Sequence, residues 1–450
     1  MKETTLTISK CFDCDVLVVG GGVAGFAAAI SAARNGAKTM IVEKNGCLGG
    51  NASSGLVGPF MSAMDPKGKK QVIYGVMQEL IDRMAGEGGA IPPKDCKGGD
   101  GYSAYRIRGH VGVTPFSAES LKRIMEQMCL EAGVKIIYHL LLVKTDVSSG
   151  RIINAYFATK NGIYCISANV FIDCTGDADL SALSGVPILS GYNDGELQVS
   201  SLFFMIDGID QKRIDQYMDS NPDGDRSPQR YFEKEIEEGK KNGTFPCGRH
   251  RISLFRSVEN IWRVNMTQVD RPVNAIDPED VSAAEIECRT QIPKIVQFLK
   301  KHVPGCENIR LLTSAEMLGI RESNRIAGEY LLTQDDVLNS TNFPDAIVFG
   351  GDSIDIHKND KSVYLMAEKP FQIPYRCLLP QKVDNLVVAG RCLSSDRVAH
   401  SAVRVMPPCF AMGQAAGTAA AIAVRYDCSP KKIDVSLLRR TLKEQGAYLE

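Results

Sequence analysis

The feature that most restricts how this chain can fold is the stretch DVLVVGGGVAGFAAAISAARNGAKTMIVEK, residues 15–44. Asp15 to Val19 is a continuous, β-branched apolar run ended by glycines, the pattern of a buried strand. Gly20, Gly22 and Gly25 follow at G-x-G-x-x-G spacing, and small residues continue to about Arg34, where Asn35-Gly36 stops the helix. A second apolar strand, Thr39 to Val42, ends at Glu43. Together these predict a βαβ unit of roughly 30 residues. The first glycine permits a tight turn, the second lets backbone N–H groups approach a pyrophosphate, and the third brings helix and strand together. The positive end of the helix favours negative charge, and Glu43 lies near the offset of about 20 residues at which an acid meets a ribose.

A chain of 450 residues, 44% of them hydrophobic, can bury a large core and divides most simply into two or three domains. Its 52 basic and 53 acidic residues nearly cancel, so no whole-protein field points to nucleic acid or an anionic membrane. No apolar run approaches the roughly 18 residues of a membrane span, and the amino terminus lacks a signal-peptide core. The expectation is a soluble, cytoplasmic protein without a membrane span, and one compatible with assembly into a homo-oligomer. Its 14 cysteines are scattered without a framework, as in a reducing compartment. Cys11 and Cys14 form a C-x-x-C pair with no second pair to complete four ligands, so no metal site is read here.

Further along, Lys67, Lys69 and Lys70 open a Gly-, Pro- and charge-rich excursion over 59–111, interrupted by an amphipathic stretch near Val72 to Ala85. Ser117 to Ala132 reads as a helix, followed by the strand VKIIYHLLLV and a hairpin with turns at Ser148 to Gly150 and Asn161-Gly162. Val170 to Cys174 reads as one more buried strand. Residues 187–377, with charged helices near Tyr231 to Asn242 and Val281 to His302, suit a cap domain. The chain then returns through a strand at Leu386 and a small-residue helix starting near Pro407 or Pro408, where proline suits the first turn.

The motifs DVLVVGGGVAG, VEKNGCLGGNASSG, FIDCTGDADLSALSG, GIRESNRIAGEYLL and IPYRCLLPQKVDNLVVAGRCLSSDRVAHSAVRVMPPCFAMGQAAGTAA cover nearly the whole chain. On them the sequence resembles the FAD-dependent oxidoreductase family of bacteria, within the broad glutathione-reductase-like flavoprotein class. The resemblance implies an α/β fold: a Rossmann-like FAD-binding domain with βββ/αβ insertions, assembled from residues 11–58, 112–186 and 378–428, a mixed α+β cap, and a C-terminal helix over 429–450. It also implies bound FAD. Gly20, Gly22, Val23, Ala24 and Gly25 would hold the pyrophosphate, Glu43 the adenosine ribose, and Lys44 the position beside the adenine. Leu48, Gly49, Gly50, Asn51 and Ala52 form a loop similar to the one that wraps the ribityl region. Val143 would offer a main-chain contact to adenine, Thr175-Gly176 a turn over the dinucleotide, and Gly390 the strand end near the flavin. Arg391 departs from the pattern, standing where many relatives place an acid for the ribityl hydroxyls; Asp396 is the candidate substitute.

The helix start near Pro407 or Pro408 presents free N–H groups and partial positive charge to the flavin pyrimidine edge, Arg404 adds full charge there, and Val405 and Met406 between them are further candidate cofactor contacts. His400 is the candidate acid/base, with Arg397 beside it, and Arg321 and Arg376 are candidate substrate clamps; Glu322 either lines the site with Arg321 or forms an ion pair that braces the cap, and His110 is a weaker candidate. Cys47 has no near partner for thiol exchange, and Cys392 and Cys409 do not define a redox pair. No second glycine fingerprint offers an NAD(P)H domain, so the electron acceptor is oxygen, a quinone, a protein carrier or a second substrate. The leading reading is hydride transfer between a small polar metabolite and FAD N5. FAD-dependent modification of RNA or another macromolecule, and electron carriage, stay open as alternatives.

Overall fold

The computed structural model describes residues 7–97, 111–191, 197–220, 232–357 and 362–450. The first strand, β1 (Ile8–Val19), runs into helix α1 (Val23–Arg34) and returns through β2 (Thr39–Val42). β1 and β2 are parallel, with Val16 opposite Thr39 and Val19 opposite Val42, so both strands end at the same edge of the sheet. Cys11 and Cys14 lie within β1, three apart and so on opposite faces, one exposed and one buried.

Two helices follow, α2 (Val76–Gly86) and α3 (Ala118–Glu131), the second capped by Ser117. The expected single strand after α3 is broken at His139, whose φ of 59° turns the chain. It gives β3 (Lys135–Ile137), which extends the parallel sheet beside β2, and β4 (Leu141–Ser148). β4, β5 (Arg151–Thr159) and β6 (Gly162–Asp173) form an antiparallel meander. The strand expected at Val170 is the last part of β6, a single 12-residue strand whose length lies parallel to β1. The sheet order is β3-β2-β1-β6-β5-β4.

Beyond α4 (Asp179–Leu183) and the short β7 (Ile188–Leu189), a second core forms on a sheet of β8 (Phe204–Asp207), β9 (Leu254–Arg256), β10 (Trp262–Val264) and β11 (Arg310–Ser314). Helices α5 (Gln211–Ser220), α6 (Glu233–Lys241) and α7 (Pro278–His302) contribute to it, and its buried apolar residues run from Leu202 to Leu318. The cap expected over 187–377 is therefore too long. After β12 (Arg325–Ile326) and α8 (Gln334–Leu338), β13 (Ala346–Gly350) and β16 (Phe371–Pro374) pair with each other and bury their side chains in the first core, next to the final long helix. Between them, β14 (Ile354–His357) and β15 (Ser362–Leu365) make a hairpin.

Strand β17 (Leu386–Val388) joins the main sheet parallel to the end of β6. It is followed by α9 (Arg397–Val403), α10 (Met406–Arg425) and α11 (Val435–Glu444). α10 lies on α1 at close range because both faces are small: a Cβ on Gly413 would fall 2.1 Å from the Ala24 carbonyl oxygen, and one on Gly417 2.0 Å from that of Ala28. No helix among the described residues is long and apolar enough to cross a membrane.

Candidate functional site

Each glycine of the first loop has a separate structural reason. Gly20 has a φ of 100°, and a Cβ there would fall 2.4 Å from the Cys174 carbonyl oxygen. A Cβ on Gly25 would fall 1.8 Å from the Gly20 carbonyl oxygen, so any side chain would part helix from strand. Gly22 differs: it caps α1, and nothing lies within 4 Å of where its Cβ would be. That open side faces a cavity of about 180 Å³ at the strand ends. Glu43 closes one wall, its carboxylate accepting from the Gly21 amide at 2.6 Å and the Asn45 amide at 2.8 Å. Gly49 (φ 104°) and Gly50 (φ 52°) carry the loop against Gly22, with the Gly49 amide donating to Gly21 O at 2.8 Å.

Gly20, Gly22, Val23, Ala24, Glu43, Lys44, Gly49, Gly50, Asn51, Thr175, Gly176, Gly390, Arg404 and Met406 all line this cavity. Gly25, Leu48 and Ala52 lie behind it; Leu48 and Ala52 are fully buried and hold the loop rather than face the cavity. Val143 stands within β4, well exposed, and Leu140, Leu141 and Leu142 line the wall in its place. The break at His139 shifts this wall toward the start of β4. Exposed backbone donors at a helix start, a second glycine loop and an acid at the β2 end fit the phosphates and ribose of a dinucleotide.

A second cavity of about 380 Å³ lies between the first core and the second. Asn51, Arg391, Arg404 and Met406 line both cavities, so the two share a wall, and α10 begins there with Val405 as its cap. Arg391, the departure from the usual acid, donates to Asp177 at 2.8 Å and to Ser323 Oγ at 2.6 Å. Asp396 caps α9, accepting from the Ala399 amide at 2.7 Å and the Gln334 amide at 2.7 Å, and it lines neither cavity, so it does not stand in for that acid. Arg404 donates to Gln198 and to the Asp355 carbonyl, both at 3.2 Å.

Of the proposed catalytic residues, Arg321 and Arg404 line this second cavity. Arg321 is buried, donating to Val199 O at 2.5 Å and Ser201 Oγ at 3.0 Å. His400 does not line it. Its ring is fully buried with Nε2 2.8 Å from Arg391 O, because its turn of α9 packs into the first core. Burial and the charges of Arg325 and Arg404 hold the imidazole well below the usual histidine range. Arg376 also lies elsewhere, paired with Asp345 at 2.9 Å in a separate groove beside α11. Arg397 and Arg325 both pair with buried Glu322, at 2.7 and 3.0 Å, which makes Glu322 a brace. His110 lies outside the described residues. Cys47, Cys392 and Cys409 are free thiols, and burial pushes the Cys409 thiol up to about 12.

The cavity also holds residues that sequence reasoning missed: Arg251, Asp352, Asp355 and His357. Alternation along β14 puts Asp355 and His357 on one face, where His357 Nε2 sits 2.9 Å from Asp355 Oδ2. Burial favours the charge-free carboxyl of Asp355, yet His357, Arg404 and Arg251 more than offset this and hold it below the usual range. Burial lowers His357 to about 3. Asp352 goes the other way, raised to about 8 by burial and the charge of Asp355, and its Oδ2 is buried with no hydrogen-bond partner among the described residues.

A dinucleotide cradle that shares a wall with a second cavity places the chain among the FAD-dependent oxidoreductases, and FAD is its cofactor. The sequence matches the FAD dependent oxidoreductase family over residues 15–442, and the chain belongs to that family. Among curated relatives, a fumarate reductase (cytochrome) of Shewanella frigidimarina is 45% identical over 85 residues, covering 19% of this chain and 15% of the relative. A thiamine thiazole synthase of Methanococcus maripaludis is 28% identical over 191 residues, covering 41% of this chain and 63% of the relative. The chain thus spans less than two thirds of either. A solved p-nitrophenol 4-monooxygenase of Pseudomonas putida superposes with a TM-score of 0.51 at 12% identity, covering 98% of this chain and 87% of that one, a likeness of fold.

Proposed function

We propose that this protein moves a hydride between a small polar metabolite and FAD N5, with the metabolite in the 380 Å³ cavity. The observation that carries the reading is the wall shared by the two cavities at Asn51, Arg391, Arg404 and Met406. When bound, FAD supplies the two-electron chemistry. The protein's own groups orient and neutralise. Arg404 and the start of α10 bring positive charge to the junction, favouring a more electron-rich flavin. Asp352, holding its proton near neutrality, replaces His400 as the group on the cavity wall that holds or gives up a proton, and the ionised Asp355 beside it accepts from the charge-free His357 ring. A concave site of this size favours a small molecule over a macromolecule or a bare electron carrier.

The test is an absorption spectrum of the purified protein followed by anaerobic mixing with hydroxy acids, amino acids, sugars and enoates. A yellow protein bleached by one of these compounds supports the reading. A yellow protein that none of them bleaches counts against it and favours a carrier or a macromolecular substrate.

A further inference from the structure

Three guanidinium groups on the cavity wall, those of Arg251, Arg321 and Arg404, form no ion pair among the described residues. Arg251 donates to Tyr364 Oη, Arg321 to Val199 O and Ser201 Oγ, and Arg404 to Gln198 and a peptide carbonyl. Other arginines nearby are matched: Arg325 and Arg397 by Glu322, and Arg391 by Asp177. Arg249 and Arg263 also lack a carboxylate, but they lie off the cavity against peptide carbonyls. Against the three cavity arginines stand the ionised Asp355 and the half-buried Asp65, with Asp352 holding its proton near neutrality. The wall therefore keeps a small excess of positive charge, and the arginines that carry it deepest are Arg251 and Arg321. Burial and neighbouring arginines push the Arg321 guanidinium below its ordinary range, a cost that an incoming anion relieves. Phe203, Phe255 and Ile320 line the same cavity and give it an apolar side.

We propose that the cavity binds a carboxylic acid with a short apolar body, its carboxylate held by Arg251 and Arg321. A planar guanidinium matches a carboxylate through paired N–H donors. Arg404, at the wall shared with the FAD cradle and bonded to Gln198, is left to the flavin side. The proposal rests on the reading that this cavity receives the substrate.

Calorimetric titration of the FAD-loaded protein with phenylacetate and hexanoate, against phenylacetamide, hexanamide and inorganic phosphate, tests it. The acids should bind at least about tenfold tighter than the amides, the worth of a charge-assisted hydrogen bond. Arg251→Gln and Arg321→Gln should each remove about that factor for the acids and not for the amides, with flavin content unchanged, while Arg376→Gln should change nothing. Acids no tighter than amides, phosphate tighter than either acid, or no acid binding would overturn the proposal. The acid–amide comparison needs no variant, so it decides even where a substitution disturbs folding. Flavin absorbance in the same samples separates the two readings. Coloured protein without acid preference sinks the carboxylate alone, and protein that retains no FAD sinks both.

Discussion

Nε2 of His400 lies 2.8 Å from the carbonyl oxygen of Arg391, inside a fully buried turn of α9. A carbonyl only accepts, so Nε2 carries a proton, and burial with the charges of Arg325 and Arg404 keeps the ring neutral. Its folded pKa lies below the unfolded value of about 6.5, so its contribution to stability is present above that pH and lost as pH falls through it. His400→Ala should cost about 2–4 kcal/mol at pH 7.5, through a lost hydrogen bond and a cavity, and lessen the loss of stability toward pH 5. Urea unfolding at the two pH values measures both. A variant as stable as the parent at pH 7.5 would contradict this placement.

Gly22 and Gly25 separate flavin binding from folding. A Cβ on Gly22 meets no protein atom and points to the cradle, so Gly22→Ala should fold at a cost of no more than about 1 kcal/mol. It should nevertheless lose FAD on gel filtration, read from the flavin absorbance of the protein peak. Gly25→Ala, with its Cβ 1.8 Å from Gly20 O, should fail to accumulate as folded protein.

Asp352 makes the opposite contribution to His400 on the pH axis. Its folded pKa of about 8 lies above the unfolded value of about 3.9, so ionisation opposes folding as pH rises between the two. Asp352→Asn should stabilise the protein near pH 7.5, by a few kcal/mol at most, and leave stability near pH 4 almost unchanged. Thermal melts from pH 4 to 9 would show the two curves diverging as pH rises; parallel curves would refute the assignment.

Glu322 holds two arginines at once. Replacing it with glutamine leaves both cations short of a counter-charge, one of them deeply buried, and should cost about 3–5 kcal/mol. Arg397→Gln removes only the more exposed partner and should cost clearly less. Equal losses in chemical unfolding would mean that the brace acts through Arg397 alone.

What could be read from residue order was whatever contiguous residues decide. The cradle follows from Asp15 to Glu43, and the start of α10 from the prolines at 407 and 408, because turns, caps and glycine contacts act over a few residues. The second cavity was not legible in this way. Arg251, Arg321 and Asp352 come from separate segments and meet only through the fold. His400 and His357 look alike in sequence, each close to acidic and basic residues, and only packing puts one in the core and the other on the cavity wall. The alternation IDIH at 354–357 was the available signal. The cap boundary was misplaced for a similar reason: β13 and β16 are short apolar strands, and nothing local says which core they join.

The glycine contacts of α10 on α1 also govern the order in which the molecule can be made. α1 leaves the ribosome long before α10, which carries the complement of its apolar face. Throughout translation of the intervening second core, that face and the edge of β6 awaiting β17 stay open. The nascent chain therefore carries an unfinished nucleotide-binding half, sticky to itself and to chaperones, while its second core is already able to form. Truncation before Leu386 should give aggregation rather than a smaller flavoprotein.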